Sequence, residues 1–216
     1  RMSTEAFIYD AVRTPRGKRN GSLSTTHAID LARLPLLELA KRNKFDPANV
    51  DDVIYGCVSQ RKEQDNDIAR AAVLAAKWPE SVAGVSLNRF CASGLTAVNE
   101  AAFAVMAGQA DLMVGGGVES MSRVPMEIDF YQGQSELYTN YPHLVGQGVS
   151  AEMIAERYKF SRTQLDEYGA RSQDQAAKAW AENRFSKSVF PVKVKTPDGT
   201  EKLFEKDEHM RPGTTA

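Results

Sequence analysis

The side chain best suited to chemistry in this sequence is Cys91, which lies within residues 86–95, SLNRFCASGL. Residues 82–87 are rich in apolar and β-branched side chains, which predicts a strand, and apolar residues after Cys91 recur at helical spacing. Cys91 therefore falls at a predicted strand-to-helix turn, where the first helical N–H groups lack partners and carry partial positive charge. A thiol placed there ionises more readily, and the thiolate is the nucleophilic form. The same N–H groups suit a negative oxygen that forms beside the sulfur.

A second interpretation of Cys91 stays open on position alone, because an unpaired cysteine is often a small buried hydrophobe. Cys57, the other cysteine, lies in a predicted strand and is interpreted as a core residue without a catalytic role. Two cysteines do not suggest a disulfide framework, so we expect a reducing, cytoplasmic location.

The composition narrows the classes of function that the sequence fits. Of the 216 residues, 42% are apolar and 25% are charged, as in ordinary globular proteins. The formal net charge of −1 gives no indication of a nucleic-acid or membrane partner. No apolar run approaches the roughly 20 residues that span a bilayer. The sequence shows no metal-ligand cluster, so we expect no bound metal.

Strands and helices alternate through the first half of the chain, which predicts an α/β fold with a mainly parallel sheet and helices on both faces. Three glycines, 115–117, fall in the last of these strands and indicate that a backbone or a ligand comes close to it. The predicted strands are residues 6–12, 53–58, 82–87 and 111–118, and the predicted helices are 28–42, 68–76 with Asp67 as its cap, and 95–105.

The sequence changes in character after Met121. Residues 122–148 read as a long loop, and its tyrosines suit either an assembly surface or local packing (Tyr131, Tyr138 and Tyr141). A short helix capped by Ser150 is expected to run through Tyr158. A capping box of Ser161 and Gln164 predicts a long helix over residues 163–183. We expect one face of this helix to be buried, formed by Leu165, Tyr168, Ala176, Ala179 and Trp180. A hairpin is expected to follow, with strands at 190–196 and 201–204 around the turn 197–200.

Two segments strongly resemble the thiolase family, the acetyl-CoA acetyltransferases and 3-ketoacyl-CoA thiolases. They are residues 88–95, NRFCASGL, and residues 115–122, GGGVESMS. The resemblance implies a layered α-β-α fold with an inserted helical and loop subdomain. By this resemblance, residues 1–121 are the N-terminal α/β domain, and residues 122–216 are an incomplete loop subdomain that binds coenzyme A and makes tetramer contacts.

The resemblance also implies roles for individual residues. Cys91 matches the cysteine that accepts an acyl group, and its backbone N–H matches part of an oxyanion hole. Arg211 matches an arginine near the nucleotide end of coenzyme A, and Gln147 and Ser150 fall in a matching substrate-binding segment at 146–152. Many relatives have Met at the position of Gln147, which leaves the acyl-chain preference open. The CoA thioester is then the substrate, no further cofactor is implied, and a homodimer or homotetramer is expected.

The activity implied is acyl transfer through an acyl-cysteine, either in the cleavage of 3-ketoacyl-CoA in fatty-acid metabolism or in the condensation of two acetyl-CoA molecules. Thiolases supply a catalytic histidine and a second cysteine from a later half whose motifs do not occur here, so we expect the chain to be inactive alone. Two alternatives stay open. The chain is a non-catalytic fold fragment or assembly module, or, less favoured, it belongs to a ketoacyl-synthase-type condensing enzyme.

Overall fold

The computed structural model describes residues 5–126, 135–196 and 198–216, which form two compact units. The first unit comprises the described residues of Arg1–Met126 and Phe185–His209, and the second comprises those of Glu127–Arg184 and Met210–Ala216. Tyr131 and residue 197, the first position of the predicted turn at 197–200, lie outside the described residues, so what the sequence predicts for them stays a prediction.

A three-stranded parallel sheet forms the centre of the first unit, with strand order β2-β1-β3. The strands are β1 (Asp52–Gly56), β2 (Ala83–Leu87) and β3 (Met113–Gly117). Gly56, at the end of β1, pairs with Leu87 on one side and with Gly117 on the other. The three strands therefore end level with one another, and the segments that follow them meet at one edge of the sheet.

Helices cover both faces of this sheet, as the alternation of elements predicts. The helices α1 (Ala28–Asn43) and α2 (Ile68–Ala75) pack on the face that carries Val53 and Tyr55. The helix α3 (Ser93–Met106) packs on the opposite face, where Ala97 and Ala101 contact Ile54. The α/β fold with a layered α-β-α arrangement is confirmed, because successive β1 side chains enter two different apolar layers.

Close contacts with neighbouring backbones explain why β3 contains glycines. A Cβ on Gly115 would lie 2.7 Å from the Cα of Val98 in α3, and one on Gly117 would lie 2.6 Å from the carbonyl oxygen of Gly56. Side chains at these positions would push the elements apart. The prediction that another backbone comes close to residues 115–117 is confirmed.

The predicted strand at residues 6–12 is wrong, since this segment forms no strand in the structure. Phe7, Ile8 and Tyr9 are 72–89% exposed, so no layer of the described chain covers them. Apolar, β-branched composition favours a strand only where a sheet edge offers hydrogen bonds. The first paired residue is Arg13, which forms an isolated parallel bridge with Val189.

A two-stranded antiparallel hairpin forms where the sequence predicts one, and it belongs to the first unit, although it was expected within the loop subdomain 122–216. It consists of β4 (Val192–Lys195) and β5 (Glu201–Phe204). Asp207, just after β5, accepts hydrogen bonds from the guanidinium of Arg13 at 2.8 and 3.0 Å and from the backbone N–H of Arg16 at 2.7 Å. These contacts attach the segment after the hairpin to the first loop of the chain.

The second unit contains three helices: α4 (Glu136–Asn140), α5 (Gln147–Tyr158) and α6 (Arg162–Ala181). The capping box of Ser161 and Gln164 at the start of α6 is confirmed. Two predictions are wrong. Residues 122–148 are not all loop, because α4 lies among them, and Ser150 does not cap α5, because the helix starts three residues earlier with Gly146 as its N-cap.

The expected buried face of α6 is also partly wrong. Leu165 and Tyr168 are exposed, whereas Ala176, Ala179 and Trp180 are half-buried. Helical periodicity identifies an amphipathic face but cannot show whether another element covers it. Among the described residues, no helix is long and apolar enough to cross a membrane.

Candidate active site

Cys91 lies in the turn between β2 and α3, at the edge where the three strands end, and it is exposed. The helix begins at Ser93 with Ala92 as its N-cap, and no side chain caps it. Within the described part of the chain, the backbone N–H groups of Cys91, Gly94 and Leu95 have no hydrogen-bond acceptor. Uncapped helical amides carry partial positive charge and can hold an anion. The predicted strand-to-helix turn is confirmed.

Local hydrogen bonds hold the turn in an unusual backbone conformation. Phe90, just before the cysteine, has φ +48°, in the left-handed region that a non-glycine residue seldom adopts. Its N–H donates to Asn88 Oδ1 at 2.8 Å. The buried Ser93 hydroxyl accepts from the Arg89 N–H at 2.8 Å and donates to the Phe90 carbonyl at 2.6 Å. Strained residues of this kind persist where their surroundings over-determine them.

The start of α3 rests directly on the last residue of β1. A Cβ on Gly56 would lie 2.4 Å from the Ser93 carbonyl carbon and 2.6 Å from the Gly94 nitrogen. Only a glycine allows this approach. Contact with β1 therefore fixes how closely the start of α3 approaches the sheet. It also fixes the position of the unpartnered N–H groups of Gly94 and Leu95.

Cys57 is a core residue, as interpreted from the sequence. It is 1% exposed, and burial together with the Glu119 carboxylate raises the pKa of its thiol to about 12. Its Sγ accepts a weak hydrogen bond from Gln64 Nε2 at 3.4 Å. A thiol with this pKa stays protonated near neutral pH and is a poor nucleophile.

The three residues assigned to coenzyme A by resemblance all lie in the second unit, whereas Cys91 lies in the first. Gln147 is the exposed first residue of α5, and Ser150, in the same helix, donates from Oγ to the Gly146 carbonyl at 3.3 Å. The backbone N–H of Arg211 donates to Gln173 Oε1 at 2.8 Å, and no described carboxylate forms an ion pair with its guanidinium. Their roles in binding stay predictions.

The polar groups that surround the turn carry no clear signal in the sequence. Glu119 and Asn88 lie in the two segments that carry the resemblance, but nothing in either segment indicates what their side chains bind. Gln64 gives no sequence signal at all, although its side chain is fully buried beside Glu119. In the described part of the chain, no group of three or more His, Cys, Asp or Glu side chains is placed to hold a metal ion.

Comparison with known proteins shows which family the sequence matches. Residues 6–216 match the family described as the N-terminal domain of thiolase. A 3-oxoadipyl-CoA/3-oxo-5,6-dehydrosuberyl-CoA thiolase of Escherichia coli is 40% identical, and a β-ketoadipyl-CoA thiolase of Pseudomonas knackmussii is 41% identical. These matches cover 98% and 99% of the chain but only 57% and 58% of the two relatives.

A solved structure is also similar over the whole chain. The crystal structure of the Bacillus anthracis acetyl-CoA acetyltransferase superposes with a TM-score of 0.85 at 32% identity, covering 100% of this chain and 57% of that protein. The chain therefore spans between half and two thirds of the length of the relatives and of the solved structure that it matches.

Proposed function

Because the chain belongs to the thiolase family, we propose that it supplies the acyl-accepting cysteine of an acyltransferase that acts on CoA thioesters. The observation that carries this proposal is an exposed cysteine, Cys91, two residues before the start of α3, where three N–H groups have no acceptor in the described chain, those of Cys91, Gly94 and Leu95. A nucleophile and a set of donors at one point are what acyl transfer requires.

In the proposed reaction, the Cys91 thiolate attacks the carbonyl carbon of a thioester. A carbon–sulfur bond forms, and the carbonyl oxygen becomes negative and is held by the unpartnered N–H groups at the start of α3. The bond to the CoA sulfur then breaks, CoA leaves as a thiolate, and an acyl-cysteine remains. The second step transfers the acyl group to the CoA thiolate or to the enolate of acetyl-CoA, and Cys91 leaves as a thiolate.

The same chemistry serves the cleavage of a 3-ketoacyl-CoA. Here Cys91 attacks the 3-keto carbon, the bond between carbons 2 and 3 breaks, and the electron pair stays on the departing acetyl-CoA enolate. The relatives with matching sequence are named thiolases for 3-oxoadipyl-CoA, β-ketoadipyl-CoA and 3-ketoacyl-CoA. These names favour a thiolase over a ketoacyl-synthase-type condensing enzyme.

The second unit is proposed to bind coenzyme A through Arg211, Gln147 and Ser150. The exposed Arg211 has a planar guanidinium that suits a phosphate or the face of adenine.

We further propose a homodimer or tetramer. This proposal is supported by exposed apolar side chains along α3, which suit a surface buried against another subunit: Leu95, Phe103 and Met106. The two free cysteines, Cys57 and Cys91, support a cytoplasmic location.

The proposal is tested by comparing Cys91→Ala with Cys57→Ala in the native protein that carries this sequence. We expect Cys91→Ala to abolish transfer of a radiolabelled acetyl group from acetyl-CoA to protein, because the acceptor sulfur is gone. Cys57→Ala should still form the adduct, since the Cys57 thiol is buried. Undiminished labelling of the Cys91→Ala protein would refute the assignment.

A further inference from the structure

Asn88 joins the turn that carries Cys91 to the loop that follows β1. Its Oδ1 accepts from the Phe90 N–H at 2.8 Å, which supports the left-handed residue before the cysteine. Its Nδ2 donates to the Val58 carbonyl at 3.2 Å. The Asn88 amide oxygen thus accepts a hydrogen bond within the turn, whereas its NH₂ group donates to a residue outside the turn. The turn is thereby fixed relative to a neighbouring strand as well as within itself.

The loop that Asn88 contacts is itself held in place by Glu119, which follows β3. Glu119 Oε2 accepts from the Val58 N–H at 2.8 Å, and Oε1 accepts from the Ser59 N–H at 3.3 Å. Both backbone polar groups of Val58 are therefore engaged, the N–H by Glu119 and the carbonyl by Asn88. The loop after β1 cannot shift without breaking one of these hydrogen bonds.

A buried amide in turn orients the Glu119 carboxylate. Gln64, 0% exposed, donates from Nε2 to Glu119 Oε1 at 2.9 Å and to the Ser59 carbonyl at 2.9 Å. Its Oε1 accepts from the Ser120 N–H at 2.7 Å. A buried amide whose polar atoms are all paired has a single favoured orientation, because any other leaves a buried polar atom unsatisfied.

We propose that Gln64, Glu119 and Asn88 are positioning residues for Cys91. The hydrogen bonds run from Gln64 to Glu119, from Glu119 to the Val58 peptide, and from that peptide through Asn88 to Phe90. They hold the sulfur beside the unpartnered N–H groups of α3. Without them, Phe90 relaxes from its positive φ and the sulfur moves away from those groups. This role rests on the function proposed above, and it predicts losses in the rate of sulfur chemistry rather than in substrate affinity.

The test compares three variants with a matched control. Asn88→Ala removes both hydrogen bonds, whereas Asn88→Asp keeps the acceptor for Phe90 and removes the donor to Val58. Glu119→Gln replaces one carboxylate oxygen with an NH₂ group, which cannot accept a hydrogen bond from the backbone N–H groups that Glu119 binds. The control is Asn43→Ala, because Asn43 also bridges two groups, donating to Asp10 Oδ2 at 2.9 Å and to the Leu39 carbonyl at 3.0 Å on α1.

Two rates are measured on each protein, together with its melting temperature. One is alkylation of Cys91 by iodoacetamide, a small reagent that needs no CoA site. The other is acetylation of Cys91 at saturating acetyl-CoA, with KM determined separately. We expect the Asn88→Ala and Glu119→Gln proteins to lose between about fivefold and a hundredfold in both rates with KM unchanged, and Asn88→Asp to fall between them and wild type. Asn43→Ala should match wild type in both rates.

Unchanged alkylation in the Asn88 variants, with or without a lower melting temperature, would overturn the proposal, because a purely structural role predicts that result. If Glu119→Gln fails to fold, the exposed Asn88 still provides the test. The wild-type protein separates this inference from the proposed function. Slower alkylation in the variants, with no acetylation of wild type, would support the positioning role while contradicting the acyltransferase.

Discussion

Replacing Gly56 with alanine changes the point at which the sheet supports the start of α3. The new Cβ would lie 2.4 Å from the Ser93 carbonyl carbon and 2.6 Å from the Gly94 nitrogen, and both are backbone atoms that no rotamer change can move. Ordinary van der Waals contact begins near 3.4 Å. The helix start must therefore move away from β1 by about 1 Å. The N–H groups of Gly94 and Leu95 move with it, away from the place where we propose that the oxyanion forms.

Two effects of different size follow from this displacement. Overpacking of this kind costs about 1–3 kcal/mol of folding free energy, which lowers the melting temperature of a protein of this size by several degrees. A shift of about 1 Å in a catalytic group can cost about a hundredfold in rate. We therefore expect Gly56→Ala to remain folded at 25 °C and to acetylate Cys91 about a hundredfold more slowly than wild type.

The assay is stopped-flow or quenched acetylation of Cys91, read beside a thermal unfolding curve of the same sample. The matched control is Gly169→Ala in α6, where an added Cβ meets nothing within 4 Å. Alanine at that helical position should stabilise the protein by up to about 1 kcal/mol and leave the acetylation rate unchanged. A Gly56→Ala protein with wild-type rate and stability would refute the claim that β1 positions the nucleophile turn.

Three further substitutions, at Glu63 and Phe90, test an ion pair of the first unit and the backbone conformation of the Cys91 turn. Arg123 donates to both carboxylate oxygens of Glu63, and the Ala28 N–H donates to one of them at 3.0 Å, so the pKa of Glu63 falls from 4.5 to about 2. Because the folded-state pKa is the lower one, this stabilisation is complete above pH about 4.5 and is lost as the pH falls toward 2. Glu63→Gln should thus lower the unfolding free energy by about 1 kcal/mol at pH 7 and by less than half of that at pH 2, where half of the folded molecules have lost the carboxylate charge, as measured by urea unfolding; a difference independent of pH would contradict this. Phe90→Val should destabilise the turn and slow acetylation, because a β-branched residue disfavours φ +48°, whereas Phe90→Gly should keep both near wild type; equal rates in the two variants would show that the backbone conformation does not matter.

The elements that the sequence predicts well are those set by local chemistry. The segments that became β1, β2 and β3 are short, and helical segments separate them along the chain, as strands of a parallel sheet require. The Asp67 cap of α2 depends on residues no more than three positions apart, and so does the box of Ser161 and Gln164. Such signals can be interpreted without knowing the rest of the fold.

The elements that the sequence predicts poorly depend on distant partners. The strand expected at residues 6–12 has suitable composition, but pairing needs a sheet edge that no local signal reports. Leu165 and Tyr168 follow helical periodicity, yet nothing in that pattern shows whether another element covers them. A strand-to-helix turn around Cys91 was predictable, whereas the contact of Gln64 with Glu119 joins positions 55 apart and was not.

Mapping the acetylated residue decides whether Cys91 accepts the acyl group, as we propose. The native protein is exposed briefly to acetyl-CoA, quenched in acid, digested and analysed by mass spectrometry. We expect one acetyl group, on the peptide that contains Cys91, and none on the peptide that contains the buried Cys57. An acetyl group at any other residue, or no adduct under conditions in which the protein turns over a 3-ketoacyl-CoA, would contradict it.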